Sequence, residues 1–179
     1  MVSPKLFYEV LKANNVFFFT GVPDSLLKEF CAYIESISSD SSHVIAANEG
    51  SAIAIATGHH LASGALSMVY LQNSGLGNTV NPLLSLADKE VYSIPLILLI
   101  GWRGEPGIKD EPQHIKQGRV TPSMLESMEI PYKLITENNE DSISNVKWAA
   151  EQALKLNAPV ALLVKKGSFE KSELKIPEK

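Results

Sequence analysis

The sequence predicts a three-layer α/β/α domain built on a six-stranded, mostly parallel sheet. Three observations predict it. Six short apolar, β-prone runs alternate with segments of helical spacing along the 179 residues. The run ending at Ile100 is apolar throughout, as a strand covered on both faces must be. Strands that alternate with helices are joined by crossovers, which run neighbouring strands parallel and place helices on both faces.

Ser3 and Pro4 form a start signal, a capping hydroxyl followed by proline in the first turn, and Leu6, Phe7, Val10 and Leu11 then keep helical spacing. Val16 to Thr20 is the first strand, ended by Gly21. Asp24 or Ser25 caps the next helix, which runs to about Ile37. His43 to Ala47 is the second strand, and Glu49 to about Ser63 a helix rich in small residues. Leu66 to Leu71 is the third strand. A polar, glycine-rich loop, QNSGLGN, follows it and leads into a helix ending near Ala87. Pro95 to Ile100 is the fourth strand. Gly101 to Val120 reads as a long loop, after which Thr121 and Pro122 repeat the cap-plus-proline signal. Tyr132 to Ile135 is the fifth strand, Asp141 caps a helix to about Asn157, and Pro159 to Val164 is the sixth. A charged tail follows.

Composition narrows the function. Hydrophobic residues make up 45% and charged residues 20%, the balance of a globular chain large enough for a core. A net charge of -4 argues against nucleic acid as a partner, since phosphate tracking requires clustered cations. Cys31 is the single cysteine, so no intrachain disulfide forms, which fits a reducing compartment. It sits in an apolar helical pattern and reads as a buried small hydrophobe. No apolar run approaches a membrane span, and the opening residues lack a signal-peptide pattern; the expected location is the cytoplasm.

In a parallel α/β sheet, ligands sit beyond the carboxyl ends of the strands. The segments there are GVPD, ANEG, QNSGLGN and GWRGEPGIKDEPQH, which are also the most unusual in the chain. Glu49 stands where a strand ends and a helix begins. It is either an acid that complements the helix dipole or a partly shielded carboxylate able to exchange a proton. In QNSGLGN the glycines admit close approach to a ligand, and Gln72, Asn73, Ser74 and Asn78 offer neutral hydrogen bonds. The segment matches neither a dinucleotide fingerprint nor a Walker A loop. Asp24 is a helix cap or a group facing the same cleft. The long loop carries Arg103, Lys109 and His114 among acids; Arg103 or Lys109 could hold an anionic head group. His59 and His60 are adjacent on a helix, point in different directions and read as structural or surface residues.

Taken in order, GVPD, NEGSAIAIATGHHLASG, YLQNSGLGNTVNPLLSL and IPLILLIGWRGEPGIKDEPQH resemble the amino-terminal domain of thiamine-diphosphate-dependent 2-oxo acid decarboxylases, the phosphonopyruvate decarboxylases in particular. The similarity runs from about Leu6 to Val164. QNSGLGN is shared with the sulfopyruvate decarboxylases. The resemblance implies that residues 1–179 form a pyrimidine-binding domain. It implies that Glu49 hydrogen-bonds N1' of the cofactor's aminopyrimidine, promoting the imino tautomer that removes the thiazolium C2 proton. It places Gln72, Asn73, Ser74, Gly75, Leu76 and Asn78 near the pyrimidine, and implies roles for Asp24 in proton transfer and for His114 near substrate. Arg103 and Lys109 as phosphonate ligands rest on charge and position alone. The family holds the diphosphate through magnesium with a Gly-Asp-Gly motif, which this chain lacks. The resemblance therefore implies a diphosphate-binding domain or subunit as partner, with the magnesium ligands, in a homo- or hetero-oligomer. The alternatives are a sulfopyruvate decarboxylase α subunit and a non-catalytic module of the same fold.

Overall fold

The computed structural model describes residues 1–171. In chain order the elements are α1 (Pro4–Ala13), β1 (Val16–Gly21), α2 (Lys28–Ile37), β2 (His43–Ile45), α3 (Glu49–Ser63) and β3 (Leu66–Gln72). A 3-10 turn (Asn73–Gly75), α4 (Leu76–Pro82) and a π turn (Leu83–Ala87) follow. The chain continues through β4 (Leu96–Gly101), α5 (Pro112–Ser127), β5 (Tyr132–Ile135), α6 (Asn139–Leu156) and β6 (Pro159–Val164).

All six strands are parallel, in the order β2-β1-β3-β4-β6-β5. Strand alternation sorts the core into two layers. Met68, Tyr70, Ile97, Leu99 and Leu162 face α1, α2 and α6, where Phe7, Phe30 and Ala150 meet them. Val69, Leu71, Leu98, Ile100 and Leu163 face α3, α4 and α5, where Ile53, Leu76 and Leu125 complete the second layer. The three-layer architecture expected from the apolar runs is thus the one formed. The chain leaves β1 toward β2 and returns past it to β3, so the connections diverge between β1 and β3. A crevice opens at such a switch point.

Several boundaries differ from expectation, each for a local reason. β2 stops at Ile45 because its partner β1 ends at Gly21, whose carbonyl takes the last ladder bond, from the Ala46 N–H. Ser3 precedes α1 but makes no side-chain cap. Asp24 and Ser25 do not cap α2, which begins at Lys28; the Asp24 carboxylate instead accepts from the Leu26 N–H in a turn before the helix. The cap of α6 is Asn138, not Asp141: the Asn138 side chain accepts the N–H of Asp141. Asn138→Ala should lower stability by about 1 kcal/mol, and Asp141→Ala by less; urea unfolding of both variants checks the order. Of the expected charged tail, Ser168 and Phe169 are buried and bridge to Val2, and residues 172–179 lie outside the described part.

The largest correction concerns the expected loop from Gly101 to Val120. α5 begins at Pro112, and Thr121-Pro122 lie inside it. A proline in a helix leaves the carbonyl four residues earlier without its donor. Here that carbonyl belongs to Gly118, and the Trp102 indole N–H donates to it at 2.8 Å. The Thr121 hydroxyl donates to the Gln117 carbonyl, so the residue expected to start the helix supports its interior.

Candidate active site

Four loops meet beyond the carboxyl ends of β2, β1, β3 and β4, which are neighbours in the sheet. Glu49 opens α3 directly after β2. Its helix is capped by Asn48, whose side chain accepts from the Ser51 N–H at 2.9 Å. The Asn78 amide donates to Glu49 Oε2 at 2.8 Å. Gly75 lies beneath the same carboxylate: a β-carbon there would overlap it and approach Glu49 Cγ to 2.6 Å. Glu49 is half-buried, and Oε1 carries no hydrogen bond among the described residues. A carboxyl group fixed on one oxygen and unbonded on the other can donate its proton to a ring nitrogen and take it back.

The other end of the 72–78 segment reaches Asp24. Gln72 Nε2 donates to Asp24 Oδ1 at 2.7 Å, and the Ser74 hydroxyl donates to Gln72 Oε1 at 2.6 Å. Asp24 is 5% exposed, with its second oxygen on the Leu26 N–H. The carboxylate thus sits behind the cleft and is linked toward it through Gln72 and Ser74. Asn73 is also turned inward. Its amide donates to the Arg103 carbonyl at 2.8 Å and to the Thr121 hydroxyl at 3.0 Å, and its oxygen accepts from the Arg103 N–H. Asn73 therefore ties β3 to the segment after β4. Leu76, the first residue of α4, is buried in the core, while Ser74 and Asn78 are exposed. The expected QNSGLGN loop is helical from Leu76 onward, which places Asn78 one turn from Gly75.

The segment after β4 folds on itself. Arg103 Nε donates to Asp110 Oδ2 at 2.9 Å, Nη2 donates to Asp110 Oδ1, and Nη1 donates to Ser25. The Gly104 N–H also donates to Asp110. Arg103, as first bonding partner, with these backbone donors, holds the Asp110 carboxyl well below the usual carboxylate range. A depressed acid contributes stability above the unfolded value of about 4 and loses it as pH falls through the folded value. Asp110→Asn should therefore cost about 2 kcal/mol at neutral pH and cost less in acid. Urea midpoints at neutral and acidic pH check both parts. Gly104 and Gly118 pack backbone to backbone, and Gly104 also meets the His114 carbonyl.

The sequence-predicted residues thus fall into groups. Asp24, Gln72 and Ser74 form one hydrogen-bonded group and Glu49, Asn78 and Gly75 another, joined along the 72–78 segment. Asn73 connects it to Arg103. Arg103 is engaged by Asp110 rather than open to solvent anions. His114 lies in the first turn of α5, its Nδ1 buried without a partner among the described residues. Lys109 is exposed on the loop. Cys31, expected to be buried, is half-buried beside a cavity that also meets Asp24, His43 and Tyr70. Burial, then the Asp24 charge, pushes its thiol up to about 12, so it stays protonated. His59 stacks on Phe18 and pairs with the Ser67 hydroxyl at 2.9 Å, a structural residue as expected. Asp110 and Thr121 were missed as supports; only the spacing of Arg103 and Asp110 could have signalled that pair. Among the described residues no three acid, histidine or cysteine side chains group to hold a metal ion, and no helix is long and apolar enough to cross a membrane.

Residues 2–124 match the family described as thiamine pyrophosphate enzyme, N-terminal TPP binding domain. A sulfopyruvate decarboxylase subunit alpha from Methanococcus maripaludis is 32% identical over 164 residues, 92% of this chain and 95% of that subunit. A phosphonopyruvate decarboxylase from Streptomyces viridochromogenes is 39% identical over 123 residues, 68% of this chain and 30% of that enzyme. In the solved benzoylformate decarboxylase from Polynucleobacter necessarius, 98% of this chain superposes with a TM-score of 0.68 at 21% identity, covering 32% of that chain. The chain thus spans about a third of the latter two proteins and nearly all of the α subunit.

Proposed function

The chain belongs to the thiamine pyrophosphate enzymes, as their N-terminal TPP-binding domain, and from that premise we propose that it supplies the pyrimidine-facing half of a cytoplasmic 2-oxo acid decarboxylase. The observation that carries the reading is Glu49, held by Asn78 over the bare backbone of Gly75 with Oε1 free of any hydrogen bond among the described residues. Protonated, that oxygen can donate to the ring nitrogen of an aminopyrimidine, itself an acceptor, and it can accept from the same nitrogen once the proton has moved there. Bound thiamine diphosphate would supply the carbanion nucleophile and the electron sink that decarboxylation requires.

The residues of this chain have the remaining tasks. Glu49 exchanges a proton with the pyrimidine ring nitrogen, and Asn78 and Gly75 fix where that exchange occurs. Asp24 orients Gln72, which in turn orients the Ser74 hydroxyl toward the cleft. His114 is the candidate partner for the substrate's reacting end. The diphosphate and its magnesium fall to a second domain or subunit, which this reading requires for activity; relatives named as α subunits support it.

The substrate proposed is phosphonopyruvate, yielding phosphonoacetaldehyde and carbon dioxide. Identity to a phosphonopyruvate decarboxylase supports it. Sulfopyruvate is the second reading, supported by α subunits matched over nearly their whole length. Decarboxylation of both acids should be measured with thiamine diphosphate and magnesium, with and without a diphosphate-binding partner. Turnover only with the partner, and faster on phosphonopyruvate, supports the first reading; faster turnover of sulfopyruvate promotes the second. Cofactor binding without turnover of either acid would leave a non-catalytic module of the same fold.

A further inference from the structure

The segment between β4 and α5 encloses a second concave surface, a cavity of about 430 Å³ whose lining includes Glu105, Ile108, Lys109, Ile115 and Arg119. Its charges do not cancel. Glu105 is bound to Lys165 at 2.7 Å, and Asp110 is bound to Arg103. Both acids are thus neutralised by cations that do not line the cavity. Lys109 and Arg119 have no acid within ion-pair distance among the described residues. Glu111, exposed beside Asp110, does not line the cavity either. A positive hollow therefore stands on a chain of net charge -4. Ile115 and Arg119 are four residues apart on one face of α5, and both line the cavity. Ile108 and Ile115, 47% and 56% exposed, form the apolar wall. Such a wall strengthens the field of a cation beside it.

We propose that Lys109 and Arg119 bind the tetrahedral oxyanion head group of the 2-oxo acid, with Arg119 as the specificity-determining residue. This rests on the decarboxylase reading above and gives it a site for the charged end of the substrate. Arg103 does not serve, because its guanidinium already faces Asp110 and Ser25. The guanidinium fork of Arg119 matches two oxygens of one oxyanion, and Lys109 adds a point charge. Two cations suit a phosphonate, which can carry a second negative charge, better than a singly charged sulfonate.

The test has two arms. In the first, the chain alone is titrated with methylphosphonate and methanesulfonate, followed by NMR, in wild type, R119M, K109M and K116M. Lys116 lies on the same helix outside the cavity and controls for net charge. Methylphosphonate should bind more tightly than methanesulfonate. R119M and K109M should each weaken it about tenfold, and K116M by less than about twofold. In the second, the chain joined to a diphosphate-binding partner is assayed on both acids. R119M should raise KM for phosphonopyruvate about tenfold, with kcat changed little, and raise KM for sulfopyruvate less. Inorganic phosphate should compete with substrate. Non-competitive phosphate inhibition would make the cavity an effector site for free phosphate and overturn the proposal. So would unchanged methylphosphonate binding in R119M, or equal weakening in K116M. If neither acid is turned over while R119M still loses methylphosphonate, the oxyanion site stands and the decarboxylase reading falls. If turnover occurs and KM is unchanged in R119M, the head-group assignment falls and the decarboxylase reading stands.

Discussion

If the proposed decarboxylase reading holds, Glu49→Gln is expected to lower turnover of the chain joined to a diphosphate-binding partner by roughly 10²- to 10⁴-fold, the range for a displaced acid–base group. Glutamine keeps the length of the side chain and an oxygen that can accept from Asn78, so the local geometry survives. It loses the ability to take and return a proton at the open oxygen. The melting temperature should therefore stay within a degree or two of wild type. Cofactor binding followed by circular dichroism separates loss of chemistry from loss of the site. Turnover within a few-fold of wild type, with the cofactor bound, would remove Glu49 from the mechanism. Asn78→Ala offers a graded companion, because it leaves the carboxylate present but free to swing.

Gly118→Ala should be strongly destabilising. The new methyl group would enter the Gly104 carbonyl and approach the Arg103 carbonyl to 2.6 Å. Both obstacles are backbone, and the opposing Gly104 is itself held at a φ of 70° against the His114 carbonyl. Neither side can rotate away. Overpacking of this kind costs about 3 kcal/mol when the surroundings cannot yield. In a chain of this size that corresponds to a fall of roughly 6–12 °C in melting temperature. The same change would push the 103–110 segment off α5, so oxyanion binding at Lys109 and Arg119 should weaken with it. Gly77→Ala is the control: it sits in α4 with open space around its Cα and should be near neutral.

Much of this organisation was legible in the sequence because it is dictated by burial. The apolar run Pro95 to Ile100 reads as a covered strand, and the strand-then-loop pattern puts Asp24, Glu49 and Gln72 at one edge of the sheet. The start of α5 was not legible. Thr121-Pro122 carries the signal of a helix start, and the indole of Trp102 that tolerates a proline inside the helix comes from outside it, across the fold. Asn138 and Asp141 are both good caps three residues apart, and only backbone geometry decides between them. Arg103 was misleading for a related reason. A cation in a polar loop invites an anionic ligand, but its anion was seven residues away in the same loop. Asn73 shows the converse: a polar residue in a ligand-like motif can face the interior and serve as a strut.

The two shortest strands, β2 with three residues and β5 with four, lie at the two edges of the sheet. Their brevity has a consequence for how this protein meets others. A long bare edge is a template on which another chain can add a strand, and that route leads to aggregates as readily as to complexes. Here each border offers only a few unpaired backbone groups, and β5 also carries Lys133, its ammonium over Trp148 at 5.0 Å. Growth of the sheet by templating is thus blunted at both borders. Association is directed instead to helix faces and to the loops at the strand ends, where side chains rather than backbone choose the companion.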